Sequence, residues 1–230
     1  LDDGLLKDYD DSLKNFQKEH NLTIFHLMGQ HVNYKLRYRT KQARFWASSY
    51  EDKRPELTDA QRKMLSHYDN ATLYNDSIVA QIVKRFQKQD AIVIYVPDHG
   101  EECYEENRGF ICRNHSAEID WPLAHYEFEI PFWIYCSPKY IRNHRDIYRQ
   151  IRKAKDKRFM TDALPHLLLY LAGIETPTYK EEYNILSPKY DEMRPRILKN
   201  SADYDKLRDA HLEKIKKEES KKVKKKERRN

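Results

Sequence analysis

Apolar and polar positions alternate with two different periods along this chain, and they predict an ordered series of helices and strands. Leu5, Leu6, Tyr9, Leu13 and Phe16 fall near helical spacing and predict a first helix over 5–18. Leu22-Thr-Ile-Phe-His-Leu-Met28 is a continuous, partly β-branched apolar run that ends at Gly29, and it predicts a buried strand. The polar, aromatic-rich residues 30–56 read as an ordered loop. Thr58-Asp-Ala-Gln61 has the capping-box pattern, a side-chain acceptor at the cap with Gln three residues on. Behind it Met64, Leu65, Tyr68, Thr72, Ile78, Val79, Ile82, Val83 and Phe86 recur at threes and fours, which predicts one long amphipathic helix running to about Gln89.

Ala91-Ile-Val-Ile-Tyr-Val-Pro97 predicts a second buried strand, and Pro131-Phe-Trp-Ile-Tyr-Cys136 a third, with Pro131 at its start and Ser137-Pro138 closing it. A basic helix is predicted over 138–155. An amphipathic helix follows within 159–173, with Thr161 or Asp162 as its cap and Gly173 past its end. The chain is irregular from Ile174, and residues 205–227 predict a charged helix. The order helix, strand, long helix, strand implies parallel strands joined by right-handed crossovers. The carboxyl ends of the first two strands then share one sheet edge, the edge where open α/β sheets bind ligands. That edge receives His31 after the first strand and Asp98-His99 after the second.

Composition narrows the class. The chain has 230 residues and 39% hydrophobic content, enough for one large α/β domain or part of a larger one. Its apolar runs are far shorter than the ~20 residues that span a bilayer. No secretory signal is evident, and the opening Leu1-Asp-Asp-Gly lacks an initiator Met, so the chain reads as part of something longer. The formal charge of +6 belongs to the tail. Residues 211–230 hold ten Lys/Arg and four Glu, which leaves 33 of each sign in the preceding 210 residues. A neutral body argues against nucleic acid as partner. The tail itself is either a solvated helical terminus or an element drawn to anionic lipid head groups or nucleic acid. The domain division expected is a body over 1–200 and a basic tail, helical or disordered, over 201–230.

The chemistry-bearing residues are His26, His31, Asp98, His99, Glu101, Glu105 and His115. Asp oxygen with His nitrogen suits a divalent metal such as zinc, although Asp-His-Gly is also a simple strand-ending turn. Zinc takes three or four protein ligands, and the chain has no Cys-x-x-Cys or His-Glu-x-x-His, so further ligands must come from elsewhere. His26, inside the first strand, reads as a buried core histidine. The five glycines form neither a nucleophile elbow nor a phosphate loop, and no nucleophile is identified. Cys136 reads as buried and inert. Cys103 and Cys112 flank a polar loop; they form a small disulfide in an oxidising compartment or a reduced pair in a reducing one.

Five blocks in order carry a family resemblance. His26-Leu-Met-Gly-Gln-His31-Val-Asn-Tyr-Lys-Leu-Arg-Tyr38 resembles the His-x-x-Gly-Ser-His-Gly-x-x-Tyr-x-x-Arg-Tyr segment of bacterial phosphoethanolamine transferases, sulfatase-like members of the alkaline phosphatase superfamily. Tyr68-Asp-Asn-Ala-Thr-Leu-Tyr-Asn-Asp76 resembles their Tyr-Asp-Asn helix. Pro97-Asp-His-Gly-Glu101 with Glu106-Asn107 resembles their Ser-Asp-His-Gly-Glu-Ser-Leu-Gly-Glu-Asn. The stretch from His125 to Ser137 resembles their His-x-Pro-Phe strand, and Leu164 to Ile174 their Leu-x-x-Leu-Gly helix. The match spans roughly residues 5–175. Val32 stands where the family has glycine, Gln30 where it has Ser or Asn, and the loop from Asp98 to His115 is longer.

The resemblance implies an α/β fold, the C-terminal portion of an alkaline phosphatase-like three-layer αβα sandwich with a mostly parallel central sheet. It implies that Asp98 and His99 ligate a catalytic divalent metal, most often zinc, and that His31 and His115 face the phosphoryl group or a second metal. The implied reaction transfers phosphoethanolamine from phosphatidylethanolamine to lipid A or a glycan, through a metal-activated Thr. That Thr and a Glu ligand fall N-terminal to the matched region, as do the family's membrane helices, so this chain alone is expected to be inactive. The implied partners are the phospholipid donor, the lipid A or glycan acceptor and the missing N-terminal segment, with no nucleic acid. The implied location is the periplasmic face of the bacterial inner membrane. A sulfatase or phosphodiester hydrolase of the same superfamily is the first alternative, and a non-catalytic module docking through its basic tail the second.

Overall fold

A computed structural model describes residues 1–12, 20–109, 111–113 and 118–227. The chain divides into two compact units, one made of Leu1–Val93 with Cys103–Cys112, the other of Ile94–Glu102 with Arg113–Asn230. Each has its own apolar clusters.

In the first unit, α1 covers Asp3–Ser12, and the remainder of the predicted 5–18 helix lies outside the described residues. Residues 21–28 form no strand, contrary to the sequence expectation. Phe25 and Leu27 pack against a cluster of Leu6, Tyr74, Ile78 and Ile82, while Leu22 (75% exposed), Ile24 (79%) and Met28 face out. The inward and outward sides alternate as in a strand, but no ladder among the described residues includes the segment. His26, predicted to be buried, lies on the exposed side with Ile24 and Met28.

The long helix α2 spans Asp59–Phe86, starting where the capping box places it. Gln61 N–H donates to Thr58 Oγ1 at 3.3 Å and Thr58 N–H donates to Gln61 Oε1 at 2.8 Å. Its apolar face supplies Leu65 to one cluster, with Tyr50, Leu57, Cys103 and Tyr104, and Tyr74, Ile78 and Ile82 to the other. The strand β1 (Ile92–Tyr95) follows, and the boundary between the units falls inside it.

Two short strands, β2 (Glu102–Cys103) and β3 (Ile111–Cys112), pair with each other. The loop between them places Tyr104, Glu106, Asn107 and Gly109 at positive φ.

In the second unit, α3 (Trp121–Phe128) begins at Asp120, whose carboxylate accepts from Leu123 N–H at 2.9 Å, with Pro122 in its first turn. Trp133–Cys136 forms β4, the hydrogen-bonded neighbour of β1. The predicted 138–155 helix is two helices, α4 (Pro138–Asn143) and α5 (Arg145–Ala154), because His144 leaves the helical region at φ −124°, ψ 52°. The helix α6 (Leu164–Leu171) starts later than predicted, after a 3-10 turn over Thr161–Ala163 that takes up the expected cap residues. Its end is as predicted: Gly173, at φ +65°, lets Ile174 N–H reach Leu169 O at 2.9 Å. Around α6 a cluster of Ala154, Leu167, Ile185 and Leu186 gathers Phe132 and Phe159, whose rings stack at 4.7 Å. Ile197–Leu198 (β5) and Ala202–Asp203 (β6) form an antiparallel pair that leads into α7 (Tyr204–Glu227). No described helix is long and apolar enough to cross a membrane.

Candidate metal and phosphoryl site

Asp98 and His99 leave the end of β1 in a turn held from behind by α3. Gly100 N–H donates to Glu127 O at 2.8 Å. The backbones approach so closely there that a Cβ on Gly100 would lie 2.2 Å from Tyr126 O. No side chain fits, so glycine at this position is a packing requirement. Two carboxylates of this unit are nearly inaccessible, Glu102 (0% exposed) in β2 and Glu127 (2%) in α3.

The Asp98 side chain is 85% exposed and that of His99 20%. His99 Nδ1 lies 2.6 Å from Gly100 O. A carbonyl only accepts, so this bond assigns the proton to Nδ1 and leaves the Nε2 lone pair available, the arrangement of a metal-ligating histidine. Nε2 in turn lies 3.6 Å from Asp98 Oδ2. Two donors each about 2.0 Å from one tetrahedral zinc stand about 3.3 Å apart. At 3.6 Å the pair is close to the spacing of two corners of a zinc site. Among the described residues no group of three or more His, Cys, Asp or Glu side chains converges on a metal-sized site.

His31 belongs to the first unit. Its backbone N–H donates to Met28 O at 3.0 Å, and Arg37 clamps the turn, Nε donating to His31 O at 2.9 Å and a terminal nitrogen to Val32 O at 3.2 Å. The ring is exposed. The loop from Gly29 to Tyr50 is laid along α2 by the residues of the Tyr68–Asp76 block and their neighbours. Asn70 is buried and fully used: Oδ1 accepts from Arg44 N–H at 2.7 Å and Phe45 N–H at 3.1 Å, and Nδ2 donates to Phe45 O at 2.8 Å and Ser66 O at 2.7 Å. Tyr34 meets Tyr68 edge-to-face at 5.2 Å, Tyr38 hydroxyl bonds His67 Nδ1 at 2.9 Å, and Tyr50 hydroxyl donates to Asp69. Burial pushes the Tyr50 hydroxyl pKa up strongly, and the Asp69 carboxylate adds to the shift.

His115 lies outside the described residues. Glu105 accepts from Cys103 N–H and so caps its own loop. Cys103, Cys112 and Cys136 are free thiols; Cys103 and Cys136 are buried, and burial raises the Cys136 pKa, consistent with an inert thiol. Of the predicted residues, the chain neighbours Asp98 and His99 have polar atoms 3.6 Å apart. Sequence reading missed the part played by Gly100 and the burial of Glu102 and Glu127. The only local signal was glycine following Asp-His, because the atom that forbids a side chain there belongs to Tyr126.

A sulfatase family model matches residues 1–174. Phosphoethanolamine transferase EptC of Escherichia coli O18:K1:H7 (strain RS218 / NMEC) is 31% identical over 194 residues, 83% of this chain and 32% of the relative. Kdo(2)-lipid A phosphoethanolamine 7''-transferase of Escherichia coli K12 is 31% identical over 162 residues, 69% of this chain and 27% of the relative. The chain thus spans about a third of the length of the curated relatives it matches. The solved C-terminal periplasmic domain of EcEptC from Escherichia coli, in complex with Zn, superimposes with a TM-score of 0.72 at 29% identity, covering 90% of this chain and 57% of that one. By these matches the chain belongs to the sulfatase family, has its alkaline phosphatase-like α/β fold, and within the family resembles the phosphoethanolamine transferases.

Proposed function

We propose that this chain carries the Asp-His metal corner and the phosphoryl-facing histidines of an enzyme that moves phosphoethanolamine from phosphatidylethanolamine to lipid A or a glycan acceptor. The observation that carries this reading is the Asp98–His99 pair: Nδ1 tied to a carbonyl, Nε2 and Oδ2 3.6 Å apart, and the turn fixed against α3. That donor set suits zinc, and the zinc complex of the related EcEptC domain supports the choice. When bound, zinc lowers the pKa of an attacking hydroxyl and stabilises negative charge on the transferring oxygens.

The chain's own residues then bind and orient. Asp98 and His99 hold the metal, with the His99 ring fixed by its Nδ1–H bond. His31 and His115, by the resemblance, donate to the phosphoryl oxygens or supply a proton to the departing oxygen. A threonine hydroxyl outside this chain attacks phosphorus, and diacylglycerol leaves with a proton on its oxygen. An acceptor oxygen then displaces the threonine. The exposed apolar side of 21–28 supports a further segment, since Leu22, Ile24 and Met28 have the alternation of a strand whose outer face is covered.

The test combines Asp98→Ala and His99→Ala in the membrane-bound protein. Zinc is measured by atomic absorption and transfer by mass spectrometry of lipid A and membrane glycans. Loss of both zinc and transfer in each variant is the expected result. Stoichiometric zinc retained in both variants overturns the assignment.

A further inference from the structure

The structure separates one charged element from the rest of the molecule. All of the net +6 charge resides in residues 211–230, behind a body with equal numbers of acidic and basic side chains. The helix α7 that carries it is fixed at its root. Tyr204 packs with Ala124 and Leu198, and Leu207 joins that cluster. The Trp121 ring lies 5.2 Å from that of His211 and 5.7 Å from that of Tyr204. Asp205 binds Arg158 and Arg196 and lies 3.3 Å from Arg208. From Leu212 through Val223 every residue is exposed. The helix therefore leaves its unit from a rigid base, and residues 212–227 extend about 24 Å further at 1.5 Å per residue.

Within that extension Lys214, Lys217 and Lys221 recur at i, i+3 and i+7, one face of a helix, and positions 224 and 225, also lysines, continue the same register. Lys217 lies 3.6 Å from Glu213, with both side chains about three-quarters exposed, so the pair does little to neutralise the stripe. Apolar residues are too sparse for insertion as a hydrophobic face: only Leu212, Ile215 and Val223 occur among the exposed turns.

We propose that this lysine stripe docks α7 on an anionic lipid surface, by charge rather than by insertion. Phosphate oxygens are the shared ligand chemistry of lipid and nucleic acid. A body with equal numbers of acidic and basic side chains, its excess charge confined to the tail, favours lipid. The choice also rests on the proposed reaction with lipid substrates, but the docking uses neither Asp98 nor His99. The root clamp sets the direction in which the stripe is presented, so docking would orient the second unit on the membrane.

The experiment compares the chain with two triple variants of equal net charge. Lys214→Gln, Lys217→Gln and Lys221→Gln empties the stripe; Lys216→Gln, Lys222→Gln and Lys226→Gln removes three lysines from other sides. Co-sedimentation uses vesicles of equal parts phosphatidylglycerol and phosphatidylcholine, with phosphatidylcholine vesicles as control, at low and high salt and with helicity checked by circular dichroism. A lysine held at an anionic surface changes partitioning by about fivefold. The stripe variant should therefore lose at least about tenfold, the other variant clearly less, and salt should release the parent chain. Equal losses in the two variants, equal binding to the neutral vesicles, salt-insensitive binding, or retention by duplex DNA in preference to the anionic vesicles would each overturn the proposal. Zinc content serves as the separate readout for the reaction: vesicle binding lost with zinc retained, or the reverse, shows which of the two readings has failed.

Discussion

Gly100→Ala tests how the Asp98-His99 turn is built. The added Cβ would stand 2.2 Å from the Tyr126 carbonyl oxygen, while a carbon and an oxygen in ordinary van der Waals contact lie beyond about 3.2 Å. The turn or the end of α3 must therefore move by roughly 1 Å. A displacement of that size breaks the 2.8 Å bond from Gly100 N–H to Glu127 O, a net loss of about 1 kcal/mol. Crowding in a packed region adds about 1–3 kcal/mol. The sum, about 2–4 kcal/mol, should appear as a lower urea midpoint with an unchanged slope. Because the same bond sets the direction of Asp98 and His99, zinc affinity measured by competition with a chromophoric chelator should also fall. Gly100→Ser is the control, since it places the same Cβ and should behave like alanine. If Gly100→Ala costs less than about 0.5 kcal/mol and leaves zinc affinity unchanged, the turn is not held by this contact and the argument fails.

Two further substitutions probe the scaffold. Asp205 is the shared anion of three arginines at the root of α7, and Arg196 beside it holds its carboxyl below the usual range; Arg194 does the same for Asp162. A carboxyl with a lowered folded pKa contributes stability that is fully present above its unfolded value, near 4, and lost as pH falls through the folded value. Asp205→Asn should therefore lower stability by about 1–3 kcal/mol at neutral pH and flatten the acid limb of a urea-midpoint profile below pH ~4; an acid limb as steep as the parent's would count against the assignment. Thr58→Ala removes the side-chain acceptor at the start of α2 and should cost about 0.5–2 kcal/mol by urea unfolding, with no change in zinc content.

What the sequence made legible was whatever depends on neighbours in the chain. The capping box at Thr58 and Gln61, the existence of α2, β1 and β4, and the stop at Gly173 all follow from local patterns and are found, although α2 ends at Phe86 before the expected Gln89 and both strands are shorter than the apolar runs that predict them. The departures have non-local causes. A ladder needs a neighbouring strand, so the apolar run at 22–28 can have strand-like alternation without strand hydrogen bonds. His144 breaks a helix that its apolar spacing would have continued, because spacing records which face is buried and not whether the backbone bends. The candidate site divides in the same way: Asp98-His99 was visible as a motif at a strand end, whereas the Gly100 contact lies 26 residues away in sequence at Tyr126.

The His31 loop and the Asp98-His99 turn are held by different physical means, and this explains why the Tyr68–Asp76 resemblance block is spent on packing. The His31 loop is bound to α2 by side chains: Asn70 satisfies four backbone bonds at once, and Tyr34, Tyr38 and Tyr50 each meet a residue of Tyr68–Asp69 or His67. Such bonds are specific to residue type, since a buried amide that loses one partner leaves the others unsatisfied. At the Asp98-His99 turn the contact with α3 runs through the backbone: Gly100 N–H donates to Glu127 O, and the Tyr126 carbonyl closes against Gly100. The turn is therefore intolerant of any side chain at position 100. A sequence motif marks side-chain bonds directly and backbone contacts only through glycine. The Tyr-Asp-Asn block is accordingly the scaffold of the histidine loop, and the single glycine after Asp-His is the scaffold of the Asp98-His99 turn.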